Sequence, residues 1–182
     1  MRATRLLPGI VLLVGALLAG CSSPTPGAPA PAAPVASTPA DPPELALDGV
    51  DPCSLISAAD RQAFGLTVPE PDESPIGFPI CRWMRAEITF QLAMIFGANP
   101  PDFTNYSANH EVIRVDGYAA LQMTQPGADP GESCILSIGV RPDQVVQVLV
   151  GDRFSSTYPS ETAICEDAKR FAHAALAALQ RG

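Results

Sequence analysis

The chain has little of what most catalysis and most nucleic-acid binding require. Its single lysine is Lys169, its two histidines are His110 and His173, and charged residues fill only 16% of 182 positions. No basic run follows Arg5. Phosphate backbones are held by clustered Lys and Arg that release counterions, so nucleic acid is excluded as a partner. There is no Gly-x-Ser-x-Gly elbow, no His-Glu-x-x-His helix and no phosphate-cradling glycine loop. Closely spaced cysteine pairs are lacking too, which removes the common zinc frameworks. The acidic trio Glu70, Asp72 and Glu73 is interrupted by Pro71 and lacks the spaced oxygens of a calcium loop, so it reads as solvated loop charge. No catalytic residue, cofactor or metal ligand is nominated.

What is present begins at the N-terminus. Arg2 and Arg5 precede an apolar run from Leu6 to Ala19, the order of an export signal and too short to span a bilayer. Leu18-Ala19-Gly20-Cys21 is similar to the bacterial lipobox, in which small residues admit a peptidase before a cysteine. Residues 1–20 are therefore read as a lipoprotein signal peptide, with Cys21 as the first mature residue and its thiol as the site of lipidation. An ordinary cleaved signal peptide is the competing reading. Two acyl chains anchor stably where one is marginal, because burial contributes about 0.8 kcal/mol per methylene. The expected location is the extracytoplasmic face of the cell membrane, held by the lipid. Without the leader 9 basic residues face 19 acidic ones, a net charge near −10.

Residues 21–48 read as a tether: eight prolines and seven alanines lie between Ser22 and Leu47, with no aromatic to nucleate a core. Such chains favour extended polyproline II. Residues 49–182 read as one α+β domain, an antiparallel sheet with an N-terminal and a C-terminal helix packed on it. Asp51-Pro52 and Ser57-x-x-Asp60 are helix-start signals before a stop at Gly65, while Pro69, Pro71, Pro75 and Pro79 mark a rigid loop. Ile88, Phe90, Leu92, Met94 and Phe96 recur at the period of a half-buried strand. Two hairpins are expected, 111–115 with 118–124 around Asp116-Gly117, and 133–140 with 144–150 around Arg141-Pro142-Asp143. In the last helix Ile164, Ala168, Phe171, Ala172, Ala175, Leu176 and Leu179 fall within about 140° of arc. Thr162 is its candidate cap, which would put Glu166 and Asp167 in the first turn.

Cys53, Cys81, Cys134 and Cys165 are an even number in a chain expected in an oxidising compartment, so two disulfides are expected. Of three connectivities, Cys53–Cys81 and Cys134–Cys165 is preferred. The second hairpin returns beside Cys134, from where a short loop reaches Cys165, and the first pair likewise joins a helix start to a strand start.

Together, the lipobox, the Pro/Ala tether, Asp51-Pro52-Cys53-Ser54-Leu55, Cys81-x-Trp83, Gly117-Tyr118-Ala119-Ala120, the lone Cys134 and Cys165 in an Ala/Leu helix carry a resemblance. In that order they resemble the domain-of-unknown-function 3558 (DUF3558) family of actinobacterial lipoproteins, over the whole mature chain. The resemblance implies an envelope lipoprotein and no catalytic residue. Ile164 before Cys165 departs from an Asp-Pro-like approach.

His173 falls opposite the apolar stripe and reads as a solvated helix residue, His110 as a loop residue, and Trp83 as packing against the disulfide. Val145, Val146, Val148, Leu149 and Val150 are apolar on both strand faces, so the sheet needs a second cover: helix, loop, ligand or partner. The function expected is non-catalytic binding of a lipid, a glycan or an envelope protein. An envelope hydrolase using His110, or a structural subunit of an envelope assembly, are the alternatives.

Overall fold

The computed structural model describes residues 41–107, 109–126, 132–152 and 160–182. The leader, Cys21 and the tether up to residue 40 lie outside the described residues. Seven strands form one antiparallel sheet: β1 (Glu70–Glu73), β2 (Pro79–Arg85), β3 (Ile88–Phe96), β4 (His110–Val115), β5 (Tyr118–Pro126), β6 (Glu132–Arg141) and β7 (Gln144–Asp152). Their spatial order is β1-β2-β3-β7-β6-β5-β4. Two meanders are thus joined where β3 lies beside β7, with Phe90 opposite Val150 and Ile95 opposite Val145.

The tight turns follow from their residues. Asp116 and Gly117 both take positive φ (51° and 87°), as does Asp143 (58°), the geometry that matches the twist of the flanking strands. The one short helix expected after Asp51 is broken at Ser57 into two pieces. A 3₁₀ turn spans Pro52–Ser54 under Asp51, whose carboxylate accepts the Cys53 N–H at 2.8 Å. Helix α1 (Ala58–Phe64) is capped by Ser57 and closed by left-handed Gly65.

Helix α2 (Glu161–Leu179) starts at Ser160, whose hydroxyl accepts from the Ala163 N–H, and not at Thr162. The earlier start moves Asp167 out of the first turn, and its side chain is buried, where it pairs with Arg85 at 2.5 Å and with Arg170. A helix-dipole role for Asp167 is therefore replaced by a tie between α2 and β2. The predicted stripe is otherwise intact: Ile164, Ala168, Phe171, Ala172, Ala175 and Leu176 are fully buried. They pack on the even positions of β3, β6 and β7 together with Trp83 and Phe90, and the Trp83 and Phe171 rings meet edge to face at 5.3 Å. Trp83 shares this core with Cys81, as the strand spacing predicts.

Both disulfides form with the preferred connectivity, Cys53–Cys81 and Cys134–Cys165, each with Cα atoms 5.1 Å apart. The first fastens the 3₁₀ turn to β2 and the second fastens β6 to α2.

Three further features depart from the sequence reading. The fold reaches upstream of residue 49: Leu45 and Leu47 are buried in the core, and Leu45 donates its N–H to the Val140 carbonyl. The proline-rich stretch expected to be loop contains β1, whose acidic residues are exposed at the sheet edge and paired in register with β2. A 3₁₀ segment, Pro100–Tyr106, lies between β3 and β4 where no element was read.

Candidate functional site

Side chains alternate across a strand, so the residues between the core positions must face away from α2. On β3 these are Gln91, Ala93 and Ile95; on β7 they are Val145, Gln147 and Leu149; on β2 Ile80 belongs to the same side. Ile80, Ala93, Ile95 and Val145 form a second apolar cluster, separate from the main core, with Phe78, Ala98 and Phe103 packed against it. The second cover called for by the two-sided apolarity of β7 is therefore partly a loop and a 3₁₀ segment.

Between them a cavity of about 520 Å³ opens over the sheet, within the range of roughly 300–1,000 Å³ usual for small-molecule pockets. Its floor is sheet, with Ala93, Ile95, Ile135 and Met123 contributing apolar surface. One wall is the β1–β2 turn. There Ser74 accepts the Phe78 N–H on its hydroxyl and the Gly77 N–H on its carbonyl, and Gly77 takes φ of 86° to close the turn.

The other wall is the 3₁₀ segment, fixed at both ends. The Asn99 side chain donates to the Asp143 carboxylate at 2.9 Å and accepts the Asp143 main-chain N–H at 3.1 Å, and Asp102 accepts the Asn99 N–H at 2.7 Å. At the far end Gln125 donates to the Tyr106 carbonyl and Ser107 donates to the Thr124 carbonyl. Gly139 permits the close approach of this wall, since a Cβ there would stand 3.0 Å from two Pro100 carbons. Ile76 and Tyr106, one on each wall, are 77% and 70% exposed, so the mouth of the cleft is flanked by large residues left facing solvent.

The electrostatics of the cleft are one-sided. Among the described residues that line it none is Lys, Arg or His, and the one charged group among them is the Asp102 carboxylate. Arg82 approaches through Gln91, to which its Nε donates at 3.2 Å, but its guanidinium is paired with Asp72 at 2.5 Å. Three glutamines bring polarity to the floor: Gln91, Gln125 and Gln147.

The residues singled out in the sequence for chemistry lie elsewhere. His110 opens β4, and its Nδ1 meets the main-chain carbonyl of Ser107 at 3.1 Å. The Ser107 hydroxyl is directed to the carbonyls of Asn109 and Thr124. A histidine and a serine are thus close in space without forming a nucleophile–base pair. His173 is half-exposed, as its place on the helix implies, and it contacts Asp116 at 2.6 Å, linking α2 to the β4–β5 turn. Among the described residues no group of three or more His, Cys, Asp and Glu side chains is arranged to hold a metal ion. No helix among them is long and apolar enough to cross a membrane. The cleft itself was missed in the sequence; its only signal was the apolar character of both faces of β7.

A family model described as "Protein of unknown function (DUF3558)" matches residues 16–178. No curated protein and no solved structure matches the chain.

Proposed function

The chain belongs to the DUF3558 family, and on that premise we propose that it is a lipid-anchored envelope protein whose cleft holds a small apolar or amphiphilic molecule without transforming it. The anchor is Cys21, in the lipobox-like Leu18-Ala19-Gly20-Cys21, and the leader is removed on export. The observation that carries the binding role is the open apolar cavity on the sheet face opposite α2, flanked by Ile76 and Tyr106. Covering that surface with an apolar ligand contributes about 25 cal/mol for each Å² withdrawn from water. A hydrolytic role draws less support, because His110 is bonded to a main-chain carbonyl and the neighbouring Ser107 hydroxyl to two others.

The test is native mass spectrometry of the Cys21→Ser chain, purified from the envelope without detergent. Wild-type cleft residues should retain a non-covalent amphiphile, or take one up when a neutral fluorescent apolar probe is added. Ala93→Trp, which places an indole in the cavity, should retain neither while melting within a few degrees of the parent. An empty parent protein that also ignores the probe would refute the reading.

A further inference from the structure

We propose that the cleft selects uncharged amphiphiles: one apolar chain bearing a head that donates and accepts hydrogen bonds without net charge, the chemistry of a monoacylglycerol. This rests on the cleft being a ligand site and specifies what that site accepts.

Charge removes the anionic class. An anionic head placed here would leave water with no cation among the described lining residues to meet it. Arg82 lies outside the lining, and its Nη2 and Nε are turned to Asp72 and Gln91. A cationic head gains little in return. Asp102 is exposed, so its field is screened by solvent, and its carboxylate already accepts the Asn99 N–H.

Hydrogen bonding removes the pure hydrocarbon. Each of the three floor glutamines uses one end of its amide within the protein. Gln91 accepts from Arg82 at 3.2 Å, Gln125 donates to the Tyr106 carbonyl at 3.0 Å, and Gln147 donates to the Ser137 hydroxyl at 3.1 Å. The opposite end of each amide therefore presents the other polarity: a spare donor on Gln91, spare carbonyl acceptors on Gln125 and Gln147. Hydrocarbon laid over them would displace water and leave those groups unpaired, a cost that hydroxyl and ester groups avoid. A neutral head with both polarities is what this floor can satisfy.

The experiment compares three ligands of one chain length by isothermal titration calorimetry on the Cys21→Ser chain, below their micelle concentrations. They are 1-monododecanoylglycerol, dodecanoate and dodecyltrimethylammonium. The expected result is that the glycerol ester binds at least roughly tenfold more tightly than either ion. Gln147→Leu should reduce that preference at least threefold while dodecanoate binding holds steady, a pattern that a mere loss of fold would not give. Equal or tighter binding of either ion overturns the selectivity while leaving the cleft a ligand site. If none of the three binds, the ligand-site reading and the selectivity fall together.

Discussion

Asp167 is, among the described residues, the one charged side chain buried in the core. A carboxylate taken out of water is tolerable only when paired, and here Arg85 reaches it from β2 while lying 4.9 Å from the Phe90 ring centroid. Arg170, one turn along α2, closes the other side. Removing the carboxylate takes one counter-charge from a guanidinium that lies over an aromatic cluster. Asp167→Ala is therefore expected to lower stability by about 2–3 kcal/mol, short of the roughly 3–5 kcal/mol of a fully buried pair because Arg85 is partly solvated. Urea unfolding measures it, and a loss below about 0.5 kcal/mol would place the pair among ordinary surface contacts. Sequence spacing alone misassigned this residue. A two-residue error in the helix cap, Thr162 for Ser160, was enough to make Asp167 look like a dipole partner of the first turn.

At the scale of elements, α2 is fastened to the sheet twice, by that ion pair and by the Cys134–Cys165 bridge to β6. The bridge closes a loop spanning 31 residues in sequence, which in the chain-entropy model contributes about 3–4 kcal/mol by restricting the unfolded chain. The Cys134→Ala/Cys165→Ala double variant should therefore lose about that much unfolding free energy, read as a lower urea midpoint. An unchanged midpoint would mean that the oxidised pair adds nothing beyond the packing of Phe171 and its neighbours. The elements that were legible share a property: their pattern is set by burial on one side. The alternation in Ile88–Phe96 and the stripe of α2 are burial written in sequence. By contrast β1 reads Glu-Pro-Asp-Glu, which has no strand preference, and exists because β2 offers its edge. The Pro100–Tyr106 segment is held by side chains distant in sequence, Asp143 and Gln125, and by the absence of a side chain at Gly139. Contacts of that separation leave no local period, so the wall of the cleft was invisible while the strands beneath it were plain.

At the scale of the whole molecule, charge bears on the proposed attachment to a membrane. Nine basic residues follow Arg5 against 19 acidic ones, and they form no cluster. Anionic lipid headgroups attract polybasic segments by about 1 kcal/mol per residue near the surface, and this chain has no such segment to offer. Its net charge is repelled instead, so adsorption of the folded domain would not substitute for the proposed acyl chains. The proposed ligand selectivity fits the same division of labour, since no described residue lining the cleft is a cation that could grip anionic headgroups. Membrane attachment should then depend on Cys21 alone. In detergent phase partitioning, the wild-type chain is expected in the detergent phase at both low and high salt. Cys21→Ser, exported behind an ordinary cleaved signal in place of residues 1–20, should be oxidised at Cys53–Cys81 and Cys134–Cys165 and aqueous at every ionic strength. Release of the wild type by salt, or retention of Cys21→Ser on membranes, would show that a surface of the folded domain does the holding.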